Sequence, residues 1–427
     1  MTRIRFAKRA WERIALPGSL IVFFGICAWL LYGTGLQTVL SLEPVKQIYL
    51  EQMASRVVSV CAQEVHRPSC YEREIPRRMD SGSTMEDAFQ ITALVQEKDP
   101  SYIYCHVLGH NISAKETAKD PSQWTNVIER CPTGMCANGC LHGSVQQRFR
   151  TDALTAPEIK GMVPELLQMC EFGAGKNYTS VEKAVCYHGL GHLGMYATGG
   201  SVHQTLDMCD AIANLAKESG SAAAVKARCY GATFMQIFQF LDAEDRALVK
   251  DSAPINRSEA DAYCAKFSEG RAAACHSESW PLSRDQIKTP EGVVAFCSYS
   301  YNPDLQQTCY NMLFASVTDT ANYEPKTIAA FCEKLPPGRM AHCFARSASR
   351  FIETSQSLGP EAVSMCAEAK SRGVGERCYS ELLYFSTHNY HEGSSAFTAF
   401  CALLPVPWKQ RCLAGEGNAV PIVNDTE

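Results

Sequence analysis

Residues 329–351 read Ala-Ala-Phe-Cys-Glu-Lys-Leu-Pro-Pro-Gly-Arg-Met-Ala-His-Cys-Phe-Ala-Arg-Ser-Ala-Ser-Arg-Phe. An apolar helical segment ends near Cys332, Pro336-Pro337-Gly338 makes a turn, and a second helical segment carries Cys343 and runs to Phe351. The form recurs with Gly373-Val374-Gly375 between Cys366 and Cys378, and with Pro405-Val406-Pro407 between Cys401 and Cys412. Cys264 and Cys275, and Cys297 and Cys309, are earlier pairs of the same kind. The second members, Cys275, Cys309, Cys343, Cys378 and Cys412, recur every 34 or 35 residues. Such a period marks a stacked repeat, because one helix pair cannot bury its apolar face alone. The predicted fold is all-α, an αα-hairpin solenoid of about ten disulfide-stapled repeats behind one N-terminal transmembrane helix.

Followed towards the N-terminus, the second-helix cysteine becomes Cys229, Cys186, Cys140, Cys105 and Cys70. First-helix partners are Cys209 for Cys229, Cys170 for Cys186, Cys131 for Cys140 and Cys61 for Cys70. Cys105 lacks one, since Leu94 stands at the expected place, and Cys136 is left over; pairing the two is the simplest closure. Paired cysteines in every unit require an oxidising compartment. Cys27 falls in the apolar segment and stays unpaired. The longer spacings locate insertions, notably Leu241–Ile255 after the Cys229 unit. Insertions in a repeat protein often sit on the binding face, although surface loops also lengthen at little cost.

The N-terminus supplies the topology. Arg3, Arg5, Lys8, Arg9 and Arg13 precede an uncharged run from Ile14 to Leu42, long enough to span a bilayer. No A-x-A cleavage site follows it, and the basic flank stays cytoplasmic. The expectation is an uncleaved signal anchor, with a cleaved signal peptide as the competing reading. Either way the bulk lies in a periplasm or an extracellular or lumenal space. The chain divides into a basic tail (1–13), the anchor (14–42), N-terminal repeats (43–240), an insertion (241–260), regular C-terminal repeats (261–415) and a flexible tail (416–427). With a net charge of -5 and no further basic block, nucleic acid is not an expected partner.

In repeat length and helix-turn-helix form, roughly Val45 to Gly415 resembles tetratricopeptide and Sel1-like repeats, some of which join their two helices with a disulfide. The resemblance implies a concave surface for a protein or peptide partner and carries over no functional residue. The tetratricopeptide W-x-x-L-G-x-x-Y pattern is absent.

Of eleven histidines, five follow the second-helix cysteine in three consecutive repeats. The segments are Cys105-His106-Val107-Leu108-Gly109-His110, Cys140-Leu141-His142-Gly143 and Cys186-Tyr187-His188-Gly189-Leu190-Gly191-His192. His106 and His110, and His188 and His192, share a helical face at the spacing of a metal-chelating pair. Neighbouring helices lie about 8–10 Å apart, so the imidazoles can converge on one ion, with His142 between the pairs. Three to five neutral imidazoles suit zinc, copper, iron or nickel. Gly109, Gly139, Gly143, Gly189, Gly191 and Gly194 would allow close backbone approach, against helix propensity. The bland alternative makes these histidines packing residues between repeats.

Lesser candidates complete the inventory. Glu116, Glu171, Glu182 and Tyr187 are the nearby acid–base groups, Met195 is a possible soft ligand, and Cys131, Cys136, Cys140 and His142 could form a zinc knot. Sequons begin at Asn111, Asn177, Asn256 and Asn424, read as coincidences. Tyr299, Tyr301, Tyr384, Tyr390 and Trp408 fit core positions better than a groove, and His388 and His391 stand apart from the cluster. No P-loop, dinucleotide fingerprint, nucleophile elbow or H-E-x-x-H occurs. Two functions remain: an extracytoplasmic metal-binding protein or metal-dependent enzyme with His106, His110, His142, His188 and His192 as ligands, or an interaction scaffold whose histidines are structural.

Overall fold

The structure, a computed structural model, describes residues 43–132, 134–149, 153–172, 179–217, 221–240, 243–249, 253–299, 303–390 and 392–419. The expected anchor, the basic tail and most of the C-terminal tail lie outside these residues. No helix among the described residues is long and apolar enough to cross a membrane.

Every described element is helical, and the helices come in pairs. Glu43–Cys61 is followed by Arg67–Asp80, Met85–Lys98 by His106–Thr117, and Trp124–Glu129 by Gly139–Phe149. Ala156–Phe172 then precedes Ser180–Ala197, and Val202–Leu215 precedes Ala222–Phe238. The remaining pairs are Arg257–Cys264 with Glu269–Glu278, Pro290–Cys297 with Pro303–Thr320, Pro325–Cys332 with Pro337–Thr354, Gly359–Ser371 with Gly375–Asn389, and Ser395–Leu403 with Trp408–Leu413. Local chemistry sets the boundaries. Thr84 with Asp87 and Thr179 with Glu182 form capping boxes. Pro290, Pro325 and Pro337 occupy first-turn positions, where a missing N–H costs nothing.

All ten disulfides pair as the spacing implied. Nine join the end of a first helix to its second helix. Cys105–Cys136 instead ties two successive units together, with Cα atoms 4.7 Å apart. Cys131, Cys136 and Cys140 are thereby consumed as disulfides, which excludes the alternative of a zinc knot. A cysteine held in a disulfide has no thiolate to offer a metal.

Second helices pack on second helices of the next unit, most closely His106–Thr117 on Gly139–Phe149, Ser180–Ala197 on Ala222–Phe238, and Pro337–Thr354 on Gly375–Asn389. First helices form their own row, as where Ala156–Phe172 meets Val202–Leu215. Buried cysteines, aromatic and aliphatic side chains fill the space between the rows; Tyr390 and Trp408 belong to this core. The row of second helices also bends back on itself. Gly375–Asn389 touches Ser180–Ala197, and Pro337–Thr354 reaches the turn at Cys136–Asn138. At this return contact Gly134 has φ +68, and a Cβ there would lie 2.8 Å from the carbonyl oxygen of His388. Only glycine meets both demands.

The inter-unit disulfide closes 31 residues, against 9 for the Cys61–Cys70 staple. Loop-closure entropy makes the first worth about 3.7 kcal/mol and the second about 2.6 kcal/mol. Replacing both cysteines of each pair by serine should therefore cost more at Cys105–Cys136, as read from denaturant unfolding; the reverse order would contradict this reading of the link.

Candidate metal centre

The glycines expected to bring helices together do so, with two exceptions. A Cβ on Gly139 would fall 2.2 Å from the carbonyl oxygen of His106, and one on Gly143 would fall 2.1 Å from that of His110. Gly191 meets the Cys229 carbonyl oxygen in the same way, at 2.3 Å. Backbone therefore rides on backbone between these helices. Gly194 faces Thr205 and Met208 of the following first helix, and Gly189 has open space around it.

The first of these approaches sets His142 against His106 and His110, and with His188 and His192 on the next second helix the five histidines form one chain of rings. Centroids are 4.7 Å apart for His106 and His110, 5.1 Å for His106 and His142, and 5.2 Å for His110 and His142. His142 lies 4.3 Å from His192 and 6.0 Å from His188, which are themselves 4.9 Å apart. Among the described residues the groups able to hold a metal ion are His106, His110 and His142, and His142, His188 and His192. The expectation of one point for all five rings is thus corrected. Three successive helices spread the nitrogens into two trios that share His142.

Hydrogen bonds fix which nitrogen faces inward. His106 Nδ1 lies 3.2 Å from the carbonyl oxygen of Cys136. A carbonyl only accepts, so Nδ1 carries the proton and the neutral ring presents a bare Nε2. His110 Nδ1 donates to Gln146 Oε1 at 3.3 Å. His192 Nδ1 donates to Gln236 Oε1 at 2.7 Å. The Gln236 amide is oriented in turn because its Nε2 donates to Asp245, which also accepts from the Tyr196 hydroxyl. His188 bonds to the backbone of Arg228. Such outer partners hold metal-ligating imidazoles in one tautomer and one orientation.

The inward nitrogens then meet. His106 Nε2 and His110 Nε2 are 3.1 Å apart, and His188 Nε2 and His192 Nε2 are 3.2 Å apart. Two bare lone pairs at that distance repel unless a cation or an added proton lies between them. With metal–nitrogen bonds of about 2.0–2.1 Å, these separations correspond to N–metal–N angles of roughly 100°, between octahedral and tetrahedral values. An added proton is disfavoured. Burial pushes His110 down to about 4, and burial with the surrounding rings holds His142 well below the ordinary imidazole range. Burial, His192 and Arg228 do the same to His188, and burial lowers His192. Neutral imidazoles are the form that binds metal. His142 Nδ1 is buried with no hydrogen-bond partner, which ordinarily costs about 1–3 kcal/mol.

His188 is only partly buried, and next to it stands Arg228, which is exposed. Glu278 and the returning residues Arg346, Glu353 and Tyr384 act on its guanidinium, whose pKa falls chiefly through desolvation. Tyr104, also partly exposed, stacks on His106 at 5.9 Å. The water-accessible groups beside the centre are therefore His188, Arg228 and Tyr104.

The expected acid–base groups are engaged elsewhere. Glu116 pairs with Lys119 and Arg130. Glu171 binds Lys183 and the Tyr187 hydroxyl, and Glu182 caps its own helix. Met195 is fully buried in the core, and its sulfur accepts from Thr205. Gln146, Gln236, Asp245 and Arg228 were not foreseen. Gln146 stood within reach, since it follows Cys140 by six residues as His192 follows Cys186. Asp245 belongs to the short helix Ala243–Val249 inside the insertion, which no motif marks.

No family model, no curated protein and no solved structure matches the chain.

Gly143→Ala should lower stability by roughly 1–3 kcal/mol through overpacking, whereas Gly189→Ala should be neutral or stabilising by about 0.5–1 kcal/mol; equal thermal midpoints for the two variants would contradict the backbone contact. The depressed histidines bind more protons unfolded than folded, so their contribution is complete above about pH 6.5 and lost as pH falls through the folded values, about 4 for His110. Glu278 and Glu381, raised by burial to about 8 and about 7, act in the opposite sense. The test is accordingly a difference: His110→Gln should flatten the loss of metal-free stability between pH 6.5 and 4 relative to the parent chain.

Proposed function

We propose that this is a membrane-anchored, extracytoplasmic helical-repeat protein that holds a transition metal in its five-histidine cluster, with residues 14–42 as the anchor and the stacked helix pairs forming a solenoid. Ten disulfides support an oxidising compartment. One observation carries the metal reading: the Nε2 atoms of His106 and His110, and of His188 and His192, lie 3.1 and 3.2 Å apart, and each of these rings also bonds to a further protein group. Packing alone gives no reason to set bare nitrogens face to face or to leave His142 Nδ1 unpaired. An interaction scaffold with structural histidines therefore explains less of the site.

All-imidazole ligation suits zinc, copper or iron. A trio of protein ligands leaves a coordination position for water or substrate, as in catalytic zinc sites. Here that position would open towards His188, where Arg228 offers a positive charge to an anionic group. A metal-dependent reaction on a small anionic molecule fits this arrangement better than a closed structural site.

The purified full-length chain should hold at least one equivalent of a transition metal by elemental analysis, and His188→Ala with His192→Ala should remove a large share of it while helicity is kept. Gln236→Leu should weaken binding about 10–100-fold, since it deletes the outer partner of His192. Metal content below half an equivalent, unchanged in these variants, would exclude the reading.

A further inference from the structure

We propose that the cluster is a dinuclear centre in which His142 bridges two metal ions, one on each ring nitrogen. The inference rests on the metal reading above and concerns how many ions the site takes and what joins them.

Each trio supplies its own pair of converging nitrogens, from His106 and His110 on one side and from His188 and His192 on the other. The two trios have only His142 in common. One ion cannot serve both pairs, and a single ion would leave the other pair of lone pairs opposed. The four outer rings each commit one side to protein, at the carbonyl of Cys136, the Gln146 amide, the backbone of Arg228 and the Gln236 amide. Each ring offers one ligand nitrogen to its trio. His142 differs. Its helix, Gly139–Phe149, packs between His106–Thr117 and Ser180–Ala197, its ring contacts all four others, and its Nδ1 is buried without a partner. A ring without an outer hydrogen bond, set between two half-built sites, is free at both nitrogens.

The chemistry balances without redox change. A neutral imidazole gives its bare nitrogen to the first ion. When the second ion binds, the remaining N–H bond breaks, the nitrogen–metal bond replaces it, and one proton passes to solvent. The resulting imidazolate anion offsets part of the charge repulsion between two cations in a buried place.

Copper(II) is the probe, because each ion carries one unpaired electron and an imidazolate bridge couples two of them antiferromagnetically. The full-length chain, stripped with chelator, is titrated with copper(II) and followed by electron paramagnetic resonance. The expected signal grows to one equivalent and then shrinks towards two equivalents, when direct metal analysis shows both ions bound. In His142→Ala the signal should instead rise with each ion that still binds. Saturation of the parent chain at one equivalent, with loss in His188→Ala, would overturn the bridge and leave a mononuclear site. Two equivalents with a doubled, uncoupled signal would also overturn it. No binding beyond that of a chain lacking all five histidines would defeat both the bridge and the metal reading. Should His142→Ala fail to fold, the parent titration alone decides.

Discussion

Backbone-to-backbone contact between consecutive second helices is the constraint on which the centre depends. Imidazoles reach only a few ångströms from their helix axes, and helices spaced by ordinary side chains would hold the three rows apart. Gly139 and Gly143 remove that spacing against His106 and His110, and Gly191 does so against Cys229, on the helix that carries Gln236, the outer partner of His192. The cost is helix propensity, with several glycines concentrated in two short helical stretches. Disulfides offset it where it falls, since Cys131–Cys140, Cys170–Cys186 and Cys209–Cys229 staple the helices concerned. Cys105–Cys136 adds the one link between units and holds the carbonyl that orients His106.

Once the rings are together, desolvation decides their state. Burial disfavours the charged imidazolium at His110, His142, His188 and His192, and outer acceptors assign the proton on His106, His110 and His192. What remains is a set of inward nitrogens, two pairs of which lie 3.1 and 3.2 Å apart. The Asp245–Gln236–His192 relay shows how far this preparation extends, since it reaches into the insertion after the Cys229 unit. That segment was equally readable as drift in a surface loop. A buried Asp245 bonded to both Gln236 and Tyr196 gives it a structural part in the site.

Much of the fold was legible because its signals are local. A disulfide joining the end of one helix to the start of the next leaves its mark in spacing, and even the irregular Cys105–Cys136 link followed from one missing and one surplus cysteine. The histidines were legible for the same reason, since counting from the repeat cysteine gives their helical phase. Gln146 obeys that count too, but a glutamine draws no notice without its partner. Other features lay beyond such counting. The return of the last helices onto Ser180–Ala197, and with it the setting of Arg228, builds up through small rotations per repeat that no residue pattern encodes. The division into two trios depends on the same rotations. Glu116, Glu171 and Glu182 looked available for chemistry because sequence shows charge but not the lysine, arginine or helix end that engages it.

The central claim is that the five imidazoles are ligands. Anomalous diffraction from crystals of the full-length chain grown with zinc, collected on both sides of the zinc edge, tests it most directly. The account requires anomalous density within about 2.0–2.1 Å of Nε2 atoms of His106 and His110 or of His188 and His192. Density confined to surface histidines such as His66, with the five rings turned into separate helix contacts, would contradict it.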